Sequence, residues 1–326
     1  MHLGLRFDFR NPAFAGTSMA DRYDAALDMA EWAEGLGIPV SLTVSEHHGS
    51  QDGYIPSPQL MLAAMAARTK KAQLRIAALI APYHDPLRMA EDYCVLDNLS
   101  RGRIEMIVAA GYAPHEFAMF DVPMKERVKR VVEMVATLKG AFSGKPFSYR
   151  GRTVHVTPGP FRPGGPKVIL GGSSEPAARR AAHIADGFQP THNACWPFYR
   201  DEMLKLGKPD PGFKVSQESS VHVLGHDPAN DWNQRAPFFL HETNAYGQWW
   251  EEAQNPGQYD VVDDYAALKE TGRYTVFTPE QYIAKLKGMP APSANFHPLC
   301  GGMPIDLAWK SLKIFEREVL PEIRAV

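Results

Sequence analysis

The chain has 326 residues, of which 44% are hydrophobic and 22% are charged, the composition of an ordinary globular protein with enough apolar material for a large core. The formal net charge of −2 and the pI near 6.6 give no basic field. That balance argues against nucleic acid or an anionic membrane surface as the main partner.

The N-terminus and the cysteines indicate the compartment. Residues 1–8 contain no positive charge followed by an apolar block, so no signal peptide is expected. The longest nearly apolar run, residues 76–82, is far too short to span a bilayer. Cys94, Cys195 and Cys300 are odd in number and lack CxxC spacing, which predicts reduced thiols. We therefore expect a cytoplasmic protein.

Strands and helices alternate through the first part of the chain. Ser18 and Asp21 resemble a capping box before the first helix, Gly37 suits its end, and Ser57 suits the start of the second. Hydrophobic periodicity predicts strands at residues 3–9, 38–44, 73–82 and 103–109, and helices at 19–36, 57–68, 86–99 and 126–142.

The alternation then breaks and resumes. Residues 144–166 are rich in Gly, Pro and aromatic side chains, which predicts a hairpin or inserted loop, and the polar, aromatic-rich residues 231–274 predict a second insertion with few clear strands. Pro279 suits the first position of a helix. The other predicted elements are strands at 167–171, 187–191, within 213–224 and at 294–299, and helices at 175–185, 198–206, 278–287 and 305–323.

Eight strands, each followed by a helix, predict a parallel sheet, either closed into a barrel or open and doubly wound. No GxGxxG follows the first strand, so the dinucleotide-binding open sheet loses support. We therefore predict a single α/β domain over residues 1–326, a (β/α)₈ TIM barrel with insertions near 144–166 and 231–274. In such barrels the functional residues follow the C-terminal ends of the strands.

Histidines follow several of the predicted strands. Glu46, His47 and His48 come after the second strand, and the later strand ends carry His84, His192 and His297. Imidazole and carboxylate groups suit a metal ion. However, adjacent residues of an extended chain point to opposite sides, so His47 and His48 cannot easily bind one ion. Arg6 and Arg10 of the first strand would also repel a cation, so no metal site is predicted.

A second candidate site lies between the fifth strand and its helix, in the run Gly171, Gly172, Ser173 and Ser174. Backbone amides, serine hydroxyls and the positive end of a helix dipole suit a phosphate. The same residues also suit a plain capped turn, and the acidic Glu175 opposes an anion unless its side chain turns away. The residues alone leave both interpretations open.

In their order along the chain, these motifs resemble the bacterial luciferase-like family of flavin oxidoreductases. The resemblance spans most of the chain and is weakest over residues 210–274. It rests on SEHH at 45–48, AALIAPYHDP at 77–86, LDNLSRGR at 96–103 with Gly111-Tyr112, LGGSS at 170–174 with Asp186-Gly187, and HPL at 297–299.

The resemblance implies roles for single residues. His47 corresponds to the family's active-site histidine, which manages protons near the reactive edge of the flavin, and Glu46 and His48 are its structural neighbours. Ala77 and Ala78 correspond to a non-prolyl cis peptide under the flavin ring. The other implied cofactor-binding residues are Gly111 and Tyr112 of the fourth-strand loop, and Arg127, Gly171, Gly172, Ser173 and Ser174 around the flavin phosphate.

The resemblance also implies a cofactor and an activity. We expect reduced FMN and O₂ acting on a small organic substrate, with reduced flavin supplied by a separate reductase and a homodimer as the assembly. Luciferase has an arginine where this chain has Ala110, and alanine there resembles relatives that use the deazaflavin coenzyme F420 for hydride transfer. A flavin-binding protein without catalysis and a metal-dependent barrel hydrolase are the alternatives of other classes.

Overall fold

A computed structural model describes residues 1–212, 220–254, 257 and 259–324. The chain divides into two compact units. The first unit comprises Met1–Gln73 and Ser219–Val326, and the second comprises Leu74–Glu218. No helix in the described ranges is both long enough and apolar enough to cross a membrane.

The secondary structure follows the predicted alternation. The strands are β1 (His2–Phe7), β2 (Val40–Val44), β3 (Gln73–Ile80), β4 (Ile104–Ala109), β5 (Phe147–Tyr149), β6 (Arg152–Val154), β7 (Val168–Gly172), β8 (Gly187–Pro190), β9 (Val221–Leu224), β10 (Tyr274–Phe277) and β11 (Ser293–Phe296). The α-helices are α1 (Met19–Gly35), α2 (Pro58–Arg68), α3 (Pro86–Ser100), α4 (Pro114–Met119), α5 (Arg127–Phe142), α6 (Glu175–Ile184), α7 (Trp196–Lys205), α8 (Pro228–Glu252), α9 (Tyr265–Glu270), α10 (Pro279–Lys287), α11 (Ile305–Ile314) and α12 (Leu320–Arg324).

The first unit holds five parallel strands in the order β10-β9-β11-β1-β2. In the register of this sheet, Leu5 of β1 is opposite Leu42 on one side and Phe296 on the other. All three side chains are buried, so the core runs along these strands. The helix α1 begins with the predicted capping box, because Ser18 Oγ accepts from the Asp21 amide and the Asp21 carboxylate accepts from the Ser18 amide.

The second unit holds four parallel strands in the order β3-β4-β7-β8. The predicted hairpin at residues 144–166 is confirmed, since β5 and β6 pair in antiparallel fashion there. The buried helix faces include Met134, Val135 and Leu138 of α5. These elements confirm the predicted α/β class, with parallel strands alternating with helices.

Three predictions need correction. Periodicity missed the parallel strand β10, and the polar stretch before it contains the 25-residue helix α8. Ser57 precedes α2, but its side chain makes no capping hydrogen bond. The predicted helix at 305–323 is interrupted by a π-helical turn at Phe315–Val319. Of the strand predicted within 213–224, residues 213–219 lie outside the described residues.

Candidate active site

The C-terminal ends of three neighbouring strands of the first unit carry charged side chains. Because β1 pairs in parallel with both β2 and β11, these ends lie at the same edge of the sheet. Asp8 and Arg10 follow β1, residues 46–48 follow β2, and His297 follows β11. The neighbouring positions explain why these sequence-distant residues meet.

Arg10 is a fully buried cation in this group. Its Nη1 donates to Asp52 Oδ2 at 2.5 Å, and its Nε lies 3.8 Å from Asp8 Oδ2. Asp52 also accepts from His241 Nε2 at 2.7 Å and from Ser50 Oγ. Burial raises the pKa of Asp52, but the hydrogen bond from His241 and the charge of Arg10 outweigh it and hold this pKa well below its usual value.

His47 lies in an aromatic box, which we define as Tyr54, Tyr246 and Trp249. The imidazole centroid is 4.5 Å from the Trp249 ring and 4.8 Å from the Tyr54 ring. Tyr246 contributes a third ring at 5.8 Å, and its hydroxyl lies 2.9 Å from that of Tyr54. His47 is 7% exposed, so these rings keep most bulk water from the imidazole.

Glu46 and His48 form their own buried pair beside His47. His48 Nε2 donates to Glu46 Oε1 at 2.8 Å, and both residues are buried. The backbone amide of His47 meanwhile donates to the carbonyl of Ile55 at 3.3 Å. The pair and this backbone bond hold the segment after β2.

A second buried cluster surrounds Glu242 of α8. The carboxylate accepts from Arg6 Nη2 at 2.9 Å, from the Tyr274 hydroxyl at 3.0 Å and from Cys300 Sγ at 2.8 Å. His297 lies between two acids, with Nδ1 3.3 Å from Glu242 Oε1 and Nε2 3.4 Å from Asp8 Oδ2. Arg6 and the His297 ring therefore both face the Glu242 carboxylate.

These contacts shift the pKa values of the cluster. Burial raises the pKa of Glu242, but the facing His297 and Arg6 cations lower it by more and leave it well below its usual range. Burial lowers the pKa of His297, whereas the charges of Asp8 and Glu242 raise it, with a net upward shift. The ionised carboxylate of Glu242 and the imidazolium of His297 therefore stabilise each other.

Glu242, His297 and Cys300 also present ligand atoms within 4.8 Å of one another, a spacing that a metal ion could bridge. The carboxylate, however, is already an acceptor for Arg6, Tyr274 and the thiol. A guanidinium 2.9 Å from a ligand oxygen opposes a cation there, as the sequence indicated for the first strand. We interpret this cluster as a charge network.

The second unit contains the cofactor-binding residues that the resemblance implied. The peptide bond between Ala77 and Ala78 is cis, as implied. Ala78 packs against a cluster that includes Ile80, Tyr83 and Phe117. Gly111 has φ +72°, and a Cβ there would lie 2.8 Å from Ile80 Cγ2, so the backbone needs a glycine at this position.

The Gly-Ser loop (residues 171–174) ends β7 and opens α6. A Cβ on Gly172 would lie 2.6 Å from the Ala177 Cβ, so the loop packs closely on its own helix. The Ser174 side chain makes no capping hydrogen bond, which leaves its hydroxyl for another acceptor. Glu175 turns to Arg179, with Oε1 2.7 Å from Nη2, so its charge is paired on the helix. The obstacle to an anion noted in the sequence is thereby removed.

The remaining predicted residues flank other strands, helices and turns. Arg127 is the first residue of α5, half-buried, and forms no ion pair with any described residue. Tyr112 is half-buried beside Gly111. His84 follows the 3₁₀ turn Ala81–Tyr83, and His192 precedes the turn Asn193–Cys195.

Sequence reasoning did not single out His241, Glu242 or Tyr246 of α8. His241, Glu242, Tyr246 and Trp249 all come from the segment interpreted as an insertion. The spacing of 242, 246 and 249 places them on one helical face, a signal that was present in the sequence. Asp52 and Tyr54, which follow the β2 segment, carried no recognisable motif.

Comparisons with known proteins identify relatives of the chain. A 4-hydroxyprotoasukamycin monooxygenase from Streptomyces nodosus subsp. asukaensis is 31% identical over 118 residues, or 36% of this chain and 32% of that protein. An FMNH₂-dependent dimethylsulfone monooxygenase from Pseudomonas putida is 28% identical over 288 residues, or 80% of this chain and 77% of that protein. The chain spans 40% or less of the length of the first curated relatives that it matches.

Solved structures share the fold. A monooxygenase from Streptomyces bottropensis superposes with a TM-score of 0.76 at 22% identity, covering 99% of this chain and 100% of that one. An F420-dependent secondary alcohol dehydrogenase gives a TM-score of 0.68 at 16% identity, covering 99% of each chain. The predicted luciferase-like barrel class is confirmed by these neighbours. The profile described as luciferase-like monooxygenase matches residues 1–289, and the chain therefore belongs to the luciferase-like monooxygenase family.

Proposed function

We propose that this protein is a flavin-dependent monooxygenase that uses reduced FMN and O₂ to oxidise a small organic substrate. The observation that carries the proposal is the family match over residues 1–289, together with an FMNH₂-dependent relative aligned over 80% of the chain. Reduced flavin comes from a separate reductase, and the protein acts in the cytoplasm as a homodimer.

The second unit has a loop that fits a flavin phosphate. Ser174 offers a hydroxyl without a capping bond, Glu175 is paired with Arg179, and the first amides of α6 point out of the helix end. Arg127 adds a cation without an ion pair among the described residues. Gly171, Gly172, Ser173, Ser174 and Arg127 are therefore the residues that we assign to the phosphate, and Ala77, Ala78, Gly111 and Tyr112 those that we assign to the ring.

Bound reduced FMN supplies the electrons that activate O₂. His47 is the residue that we assign to proton transfer, at an imidazole nitrogen. The aromatic box around it keeps the imidazole nearly dry, which strengthens its interactions with a reacting group. The buried Glu46–His48 pair holds the segment that carries it.

The test is a titration with reduced FMN and with reduced F420, while O₂ consumption is followed. Tight binding of reduced FMN with O₂ uptake supports the proposal, and binding of neither cofactor overturns it. His47→Asn should lower turnover by about 100-fold or more with binding of FMN retained. An unchanged rate in that variant would remove His47 from catalysis.

A second candidate is hydride transfer with coenzyme F420, which Ala110 favours because luciferase has an arginine there. Binding of reduced F420 without O₂ uptake would select this activity. The two candidates share the fold, so the titration separates them by cofactor and by O₂. Arg127→Ala should weaken binding of the cofactor that the protein uses by about tenfold. Binding of the other cofactor should be unaffected.

A further inference from the structure

His47 and Arg10 contact the same three aromatic rings. The guanidinium carbon of Arg10 lies 4.6 Å from the Trp249 centroid, 4.7 Å from that of Tyr246 and 4.8 Å from that of Tyr54. These distances are those of cation–π contacts. The aromatic box therefore joins a buried cation to the histidine assigned to proton transfer.

The walls of the box are held in different ways. Tyr54 and Tyr246 are joined through their hydroxyls at 2.9 Å, and both are buried. Trp249 lies near the end of α8 and is half-buried. It is also the ring closest to parallel with the imidazole, at 34°, whereas Tyr54 and Tyr246 meet His47 edge-on at 81° and 73°.

This geometry restrains the rotation of the imidazole. A histidine ring turns broadly about its last side-chain bond unless neighbours restrict it. The indole is the nearest ring, 4.5 Å away and tilted by 34°, and it restricts that rotation most directly because the imidazole cannot turn without meeting it. The two edge-on tyrosines limit sideways motion.

Arg10 also contacts the indole, with its guanidinium carbon 4.6 Å from the ring centroid. Asp52 holds the guanidinium through Nη1, and Asp52 is itself held by His241, one helical residue before Glu242 on α8. Arg10 and α8 are thus connected both through the ion pair with Asp52 and through the cation–π contacts with Tyr246 and Trp249. Trp249 is therefore contacted both by Arg10, which follows β1, and by Tyr54, which follows β2.

We propose that Trp249 is a positioning residue that sets the orientation of the His47 imidazole, with Arg10, anchored by Asp52, holding the indole in place. The inference rests on the proposed function for the role of His47, but the orientation itself is a property of the protein without cofactor. Trp249 acts through His47 and needs no contact with substrate.

The experiment compares Trp249→Ala and Trp249→Phe with the matched control Trp309→Ala, a half-buried tryptophan of α11 that packs against Trp32. The first readout is NMR of protein labelled at the ring carbons of its 12 histidines, with the His47 signal assigned by its loss in His47→Asn. The second readout is kcat and KM for flavin-dependent O₂ consumption by the cofactor-loaded protein.

We expect the His47 ring signal to move in Trp249→Ala, to stay near its original position in Trp249→Phe and to be unchanged in Trp309→Ala. We expect kcat to fall by about tenfold or more in Trp249→Ala with KM changed less than about threefold, and Phe to restore most of the rate. An unmoved His47 signal in Trp249→Ala overturns the proposal, as does a change confined to KM, which would make Trp249 a substrate contact.

Failure of the proposed function has a different signature. In that case the unsubstituted protein shows no flavin-dependent turnover, while the NMR comparison still reports whether Trp249 orients His47. Should Trp249→Ala fold poorly, Trp249→Leu, which keeps apolar bulk without a ring, gives the same test. A His47 signal that behaves alike in the Leu and Phe variants also overturns the proposal.

Discussion

Replacement of Glu242 by glutamine is the sharpest test of the buried charge network. The substitution keeps the shape of the side chain and removes its charge beside Arg6 at 2.9 Å and His297 at 3.3 Å. Breaking a buried ion pair by removing one partner costs about 3–5 kcal/mol. We expect the free energy of unfolding to fall by about 3 kcal/mol, near the lower end of this range. The reason is that His297 can release its proton and so remove one uncompensated charge.

The assay is urea unfolding followed by tryptophan fluorescence and by circular dichroism. The matched control is Glu91→Gln, since Glu91 lies 3.4 Å from Arg88 in an exposed ion pair on α3. That pair should contribute less than about 0.5 kcal/mol. If Glu242→Gln loses no more stability than Glu91→Gln, the interpretation of the cluster as a stabilising network is wrong.

The same network predicts how stability depends on pH. Glu242 and Asp8 have lowered pKa values, so their contribution is complete above about pH 4.5 and is lost as the pH falls through the folded values. His297 has a raised pKa, so its contribution is complete below about pH 6.5 and is lost as the pH rises through the folded value. In Glu242→Gln the alkaline loss should begin at lower pH, because one of the two acids that raise the pKa of His297 is gone. An alkaline limb identical to that of the unsubstituted protein would show that Glu242 does not act on His297.

Three further outcomes are expected. Ser174→Ala should weaken FMN binding about five- to tenfold without loss of stability, because the hydroxyl makes no capping bond, whereas Ser18→Ala should cost about 1 kcal/mol and leave FMN binding unchanged. Calorimetric titration measures the FMN affinity, and thermal unfolding measures the stability. Gly111→Ala should cost about 2 kcal/mol or more, since its Cβ would meet Ile80, and Gly144→Ala, at similar positive φ in open space, about 1 kcal/mol. Ellman's reagent at pH 8 should find no fast-reacting thiol in the folded protein and three after denaturation, because burial raises the pKa of all three cysteines, that of Cys94 to about 11.

Each of these has an opposing result. Equal FMN affinity in Ser174→Ala and the unsubstituted protein would remove that hydroxyl from the phosphate site. Equal costs at Gly111 and Gly144 would mean that the backbone angle alone matters at Gly111. A thiol that reacts within seconds in the folded protein would contradict the burial of Cys94, Cys195 and Cys300.

The helix starts and most strand positions could be predicted because their signals are local. The capping box at Ser18 and Asp21 satisfies its own amides, and the bounds of α1 follow from it. The strand β10 was missed because its four residues follow a polar segment and offer too short an alternation to detect. Its pairing with β9 is what makes it a strand, and that pairing joins positions about fifty residues apart in the sequence.

The candidate site was predicted in part for the same reason. His47 and the Gly-Ser loop belong to contiguous motifs, so the resemblance to a family was enough to select them. Trp249, Tyr246 and Glu242 lie in the stretch where that resemblance is weakest. The polar residues around them led to the interpretation of the segment as an insertion. Glu242 and Thr243 in α8 are nevertheless buried, and both form hydrogen bonds with the hydroxyl of Tyr274.

The charges at the end of β1 show where sequence reasoning stops. Arg6 and Arg10 were recognised as unfavourable for a metal. Arg10 and Asp8 are fully buried and Arg6 is partly buried, so two cations with one anion require further acids nearby. The requirement for partners is therefore readable from the strand itself. Their identity is not, because Asp52 lies 42 residues from Arg10 and Glu242 lies 236 residues from Arg6. The chain has 37 acidic residues. Asp52 is selected because β1 pairs with β2, and Glu242 is selected because α8 packs near β1.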